Sequence, residues 1–243
     1  GALAVIALLP WGALPVKVVV TPTFLDLALG GVLLTYLLQW VTGARRRFTT
    51  TPVHGLLLAF LLLAVFSFVA GVGNGPLTSN LMRHFAELLL SIGMALVVVD
   101  TVDTTEKLAR LARVILICGA AAAAIGIALY FLPQTLSERL LSALSVFNYP
   151  SGGVLRYIED NPDLAQRAIG TSVDPNVFGG LLAIVGGLLA LQLLVRRPLL
   201  GRRWLAWLAF AVVVAALVLT YSRGAMAALA VGLAGIGLAK YRR

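Results

Sequence analysis

LTYSRGAMAALAVGLAG, residues 219–235, sets one arginine, Arg223, between two apolar runs. Residues 204–222 carry no charged side chain, and neither do residues 224–239. Each run approaches the roughly 20 residues that span a ~30 Å hydrocarbon core. An ionised side chain at mid-bilayer costs several kcal/mol, so Arg223 is expected at a tight hairpin where two spans meet, at the rim of the membrane. Tyr221 beside it suits an interface.

Composition agrees with that reading. Hydrophobic residues make up 60% of the 243-residue chain, charged residues 12%, and the mean hydropathy is +0.98. These values exclude an ordinary soluble domain. The apolar runs do not alternate in short segments, which excludes a β-barrel. The expected fold is an all-α polytopic membrane protein, a single helical domain over residues 1–243. The net charge of +9 is not read as a nucleic-acid footprint, because the basic residues cluster between apolar runs. The single cysteine, Cys118, lies inside such a run and forms no intramolecular disulfide. The chain opens on GALAVIALLP without a Met or a basic leader and ends on LAKYRR, so it reads as a piece of a longer protein.

Eight spans are expected, at about 1–14, 23–42, 54–72, 80–99, 108–131, 174–195, 204–221 and 224–240. Arg45, Arg46 and Arg47 follow the second, and Lys107, Arg110 and Arg113 open the fifth. Arg196, Arg197, Arg202 and Arg203 join the sixth to the seventh, and Lys240, Arg242 and Arg243 close the eighth. Alternation along the chain puts all four groups on one side, the cytoplasmic one by the positive-inside rule. Both termini then lie inside, and the 7–8 hairpin lies outside. Residues 132–173 form the main outer, periplasmic or extracellular, segment. Within it TLSERLLSALSVF follows Pro133 with a capping box from Thr135 to Glu138, and Leu136, Leu140, Leu144 and Phe147 recur at helical spacing. An amphipathic helix on the outer surface is expected there. The rest of the segment, rich in Gly, Pro, Asp and Asn, reads as an ordered irregular loop.

Three outer-side features hold candidate binding residues: Arg83 with His84 and Glu87, Arg167 with Asp174-Pro175-Asn176, and Ser222-Arg223-Gly224. Arginine suits phosphate because its planar fork donates two parallel hydrogen bonds. Each feature also has a plainer account. A lone arginine near a helix end snorkels to lipid headgroups. Asp174 and Pro175 are an N-cap and first residue that start the sixth span. That account does not need Asn176, whose amide is free to bond a loop or a sugar. Arg83 and Glu87 form an i,i+4 pair that neutralises itself. Asp26, near the outer end of the second span, is in reach of any of these arginines. Gly224 is expected to let the hairpin tighten. The small residues of the last span, Ala225 to Gly237, suit close helix packing. Two histidines on opposite sides and one cysteine make no metal site, and no nucleotide fingerprint or Ser-His-Asp set occurs.

Two patterns resemble those of the O-antigen ligase and polymerase superfamily, bacterial membrane glycosyltransferases that use undecaprenyl-pyrophosphate-linked glycans. One is Arg167-Ala-Ile-Gly170 followed by Asp174-Pro175-Asn176 opening an apolar helix; the other is Tyr221-Ser222-Arg223-Gly224 one helix pair later. The resemblance implies that Arg167 and Arg223 hold the donor's pyrophosphate on the outer face of a bacterial inner membrane. Asn176 and Ser222 stand beside them, and Arg83 and Asp174 are further candidates. It implies transfer of the glycan to a glycan or lipid acceptor without metal or cofactor. Members of that family continue into a large outer loop with a histidine regarded as the acceptor's base. No such loop occurs by Arg243, so residues 1–243 alone are expected to be inactive, with the catalytic group unknown. Two other classes stay open. A transporter or permease would gather polar residues near mid-membrane, and a structural assembly subunit would need no site at all.

Overall fold

The computed structural model describes residues 23–45, 51–73, 75–147, 149–150, 152–196 and 198–241, together with Leu8 and Gly12. The first expected span, and Arg46, Arg47, Arg197, Arg242 and Arg243 of the basic groups, therefore fall largely outside the described residues. Among those described there are eight α-helices: α1 Phe24–Val41, α2 Pro52–Gly71, α3 Ser79–Thr101, α4 Thr105–Phe131, α5 Gln134–Ala143, α6 Pro175–Leu194, α7 Arg203–Leu219 and α8 Arg223–Tyr241. All but α5 and α7 are long and apolar enough to cross a membrane. The 17-residue α7 is apolar but shorter. Helix α2 is apolar on every side, yet Leu56, Leu62 and Phe66 are each about seven-tenths exposed. Such a surface is stable against lipid rather than water. The chain fits a multi-pass membrane protein.

The chain divides into two compact units, one of Leu14–Leu108 and one built mainly on Ala109–Arg243. In the first, α3 packs against both α1 and α2. Gly93 on α3 faces Leu33 on α1, and Phe68 stacks on Phe85 with centroids 3.9 Å apart. Asp26 does not reach an arginine among the described residues. Its carboxylate accepts from the backbone N–H and hydroxyl of Thr23, at 2.9 and 2.7 Å, closing a capping box at the start of α1. Local chain geometry outcompetes any distant cation there.

The second unit is built around α6, which packs against α7 and α8. Phe178, Leu182, Val185 and Leu189 recur at helical spacing and are almost wholly buried. Glycines let neighbours close on this face. A Cβ at Gly119 or Gly126 of α4 would run into Val185 or Phe178, and one at Gly186 would press on Leu229 of α8. A Cβ at Gly232, Gly235 or Gly237 of α8 would meet nothing within 4 Å among the described residues.

Helix α5 forms as expected but starts on Pro133, whose carbonyl accepts from Leu136 and Ser137. Thr135 falls inside the first turn, so the expected capping box is not made. Leu136 and Leu140 stay exposed, while Ser137 and Leu141 turn inward. Leu141 belongs to a small core of the segment between α4 and α6 with Tyr149, Val154, Leu155, Ile169 and Val173. Tyr149 ties that core by donating to the Thr171 carbonyl at 3.0 Å. The irregular loop contains a hairpin: β1 Arg156–Tyr157 pairs antiparallel with β2 Gln166–Arg167, with Arg156 opposite Arg167. Asn161-Pro162-Asp163 turns it, the Asn161 side chain accepting from the Asp163 N–H.

Candidate functional site

Helix α6 starts where the sequence requires. Asp174 is its N-cap, accepting from the N–H groups of Asn176 and Val177 at 2.7 and 2.9 Å, and Pro175 takes the first helical position. With the first turn so fixed, Asn176 projects to the surface. Its Oδ1 accepts from the Arg167 guanidinium at 2.9 Å, so its partner is the loop.

Arg167 also reaches the α7–α8 hairpin, where its Nε donates to the Thr220 carbonyl at 2.8 Å. One residue on, the Ala168 N–H donates to the Leu219 carbonyl at 2.7 Å. Those carbonyls lie at the end of α7, where no intrahelical donor remains for them. The strand β2 thus supplies the missing donors and docks onto the hairpin. Thr220 is wholly buried, and its hydroxyl donates to Leu217 O while accepting from the Ser222 N–H at 3.1 Å.

The hairpin tightens at a different residue from the one expected. Tyr221 takes a left-handed conformation at φ 52°, and Gly224 lies inside the first turn of α8 with open space around it. The glycine the turn requires is Gly179 on α6. A Cβ there would sit 3.0 Å from those of Ser222 and Ala225, so only glycine lets α6 approach the hairpin this closely.

An open pocket of about 900 Å³ results, lined by Arg167, Asn176, Ser222 and Arg223. Ile158, Glu159 and Tyr221 border it, and Gly180, Ala225, Met226 and Ala228 extend it as an apolar strip along α6 and α8. Arg167 is half-buried and spends two of its N–H groups on the protein, so three of the five a guanidinium carries meet no partner among the described residues. Arg223 is exposed and has no hydrogen-bond or ion-pair partner among the described residues. Ser222 is buried, with its backbone held by Thr220. Asp174 does not line the pocket and acts through the cap that aims Asn176.

Arg83 belongs to the other unit. Its Nε lies 3.4 Å from Glu87, which also meets His84 at 3.1 Å. That local cluster matches the self-neutralising account. Among the described residues no three His, Cys, Asp or Glu side chains gather in a way fit to hold a metal.

Two features escaped the sequence reading. Glu159 borders the pocket, brought there by the hairpin that Asn161-Pro162-Asp163 signals. In the first unit Asp100, almost wholly buried, accepts from the Tyr36 hydroxyl and the Arg45 guanidinium, both at 2.7 Å. Arg45 also donates to the Asp100 carbonyl at 2.8 Å and lies over the Tyr36 ring. Nothing local marks Arg45 out from the arginines beside it. Comparison of the chain with protein-family models, with curated proteins and with solved structures finds no match.

Proposed function

We propose that the chain is an integral-membrane glycosyltransferase of the O-antigen ligase type, transferring or polymerising a glycan from an undecaprenyl-pyrophosphate donor on the outer face of a bacterial inner membrane. The observation that carries the reading is the amphiphilic pocket. Two guanidiniums and an amide from motifs far apart in the sequence share its rim, and an apolar strip leads away from them along two helices. A ligand with an anionic head and a prenyl tail has the matching division.

In the reaction the acceptor's hydroxyl oxygen attacks the anomeric carbon, its proton passing to the outer-loop histidine that the resemblance implies, and the bond from that carbon to the pyrophosphate oxygen breaks. Charge then builds on the leaving pyrophosphate. Arg223 and the uncommitted N–H groups of Arg167 bind that charge, and they lie ready before the reaction begins. Removing one such donor costs about 10²–10³-fold in rate. Lysine keeps the charge but loses the fork, so Arg→Lys impairs both positions.

Complementation tests this. The full-length protein, wild type or with Arg167→Ala or Arg223→Ala, is expressed in a strain lacking its own ligase or polymerase, and surface glycan is read on a gel. Restoration by wild type and loss in both variants, at equal protein level, is the expected result. Equal restoration by all three would refute the pyrophosphate role of the two arginines.

A further inference from the structure

We infer that Glu159 shifts this pocket's preference toward a sugar-bearing prenyl pyrophosphate and away from the bare one, which aids release of the spent carrier. The inference rests on the pyrophosphate reading of the pocket given above.

Glu159 borders the same pocket as Arg167 and Arg223. Its backbone is left-handed, at φ 56°, and so is that of Asp160, at φ 53°. Two consecutive non-glycine residues in that region are uncommon, and such conformations persist where the surroundings enforce them. Here the Ile158 N–H donates to the Ala165 carbonyl and the Asn161 N–H to the Ile158 carbonyl, both at 3.1 Å. The Arg156–Arg167 and Tyr157–Gln166 pairs close the ladder behind them. The hairpin that positions Arg167 therefore positions Glu159 as well.

The Glu159 side chain is exposed and, among the described residues, makes no hydrogen bond or ion pair with either arginine. A carboxylate that lines the same pocket as two guanidiniums without pairing with them weakens the pocket's field for every anion. The penalty is greatest for the most highly charged ligand. A glycosylated pyrophosphate is a diester, with one ionisation on each phosphate. The bare carrier ends in a monoester whose second proton leaves near pH 6, so at neutral pH it carries more negative charge. A carboxylate also accepts hydrogen bonds from sugar hydroxyls. Both effects act in the same direction: Glu159 favours the loaded donor and disfavours the spent one.

Binding to the full-length protein in nanodiscs tests this. The probes are a short-chain prenyl pyrophosphate and the same molecule carrying one hexose, at pH 7.5 and low salt. Relative to Glu159→Gln, wild type should favour the glycosylated probe, and that difference should shrink at pH 5.5, where the terminal phosphate regains a proton. Glu159→Gln, which keeps size and removes charge, should tighten the bare probe by about two- to five-fold, the scale of an exposed charge pair. The glycosylated probe should bind that variant no more tightly than wild type. Equal tightening of both probes, or no change in either while wild type binds both, would overturn the role of Glu159 and leave the pocket's reading intact. Failure of wild type to bind either probe would refute the pyrophosphate pocket and this inference with it.

Discussion

Arg167 and Arg223 share a pocket rim but differ in what they do for the fold, and alanine at each should separate the two roles. Arg167→Ala removes a hydrogen bond to the Thr220 carbonyl at 2.8 Å and one to Asn176 at 2.9 Å. Hydrogen bonds from a charged donor contribute about 1.5–3 kcal/mol when sheltered. The Thr220 bond is partly buried and the Asn176 bond exposed, so the second adds at most about 1 kcal/mol. The summed loss is about 1.5–4 kcal/mol. For a chain of this length that lowers the melting temperature by about 3–16 °C. Arg223→Ala breaks no such bond among the described residues and should stay within about 0.5 kcal/mol of wild type. Arg167→Lys should fall between, because one ammonium cannot serve both acceptors. Thermal melting of the purified protein in detergent, followed by tryptophan fluorescence, reads all three. Equal shifts for the two alanine variants, or no shift for Arg167→Ala, would refute the claim that Arg167 braces the loop onto the α7–α8 hairpin.

Four further expectations concern other residues. Asp100→Asn should cost about 2–3 kcal/mol in the same melting assay, since it strands Arg45 beside a buried site; this lies below the roughly 3–5 kcal/mol of a fully buried pair because the Arg45 side chain is 23% exposed. Gly179→Val should cost about 1–3 kcal/mol by forcing α6 away from Ser222 and Ala225. Gly187→Ala, where a Cβ meets nothing within 4 Å, should not destabilise the protein. With Cys118 replaced by serine, Asp163→Cys should label with an impermeant thiol reagent in intact cells and Arg202→Cys should not; the reverse pattern would overturn the orientation drawn from the basic residues.

The helices were legible because span length and hydropathy are properties of short stretches of chain. The expected spans at 54–72 and 174–195 meet helices at Pro52–Gly71 and Pro175–Leu194. Asp174-Pro175 names the start of α6 to the residue, as the chemistry of a cap is confined to one turn. The expectation at 204–221 overshoots, for α7 ends at Leu219 and Thr220 begins the turn. Apolar character continues past the helix there, so hydropathy alone does not mark its end. The capping box at Thr135 failed for a related reason: Pro133 already serves the first donors of α5.

Much less of the site was legible. The pattern Arg167-Ala-Ile-Gly170, then Asp174-Pro175-Asn176, and Arg223 beyond them, singled out the residues that line the rim or set it. Their division of labour was not visible. Whether an arginine is free for a ligand or spent on a carbonyl depends on the acceptors that other elements bring to it. Thr220 is 53 residues from Arg167, and it arrives through the packing of three helices. Glu159 looked like one acid among several in a polar loop. Only the pairing of Arg156 with Arg167 carries it to the pocket, while Asp160 and Asp163 do not line it.

By itself the sequence determined a chain of apolar helices, the ends of several of them and the arginines worth testing, because hydropathy, capping and charge placement act over a few residues. The tertiary structure decided which arginine braces and which stays open, which acid stands beside them, and that Tyr221 rather than Gly224 makes the turn. The arginine roles and the turn depend on how closely α6 approaches the hairpin, which the absence of a side chain at Gly179 permits, and the acid's place depends on the pairing of Arg156 with Arg167.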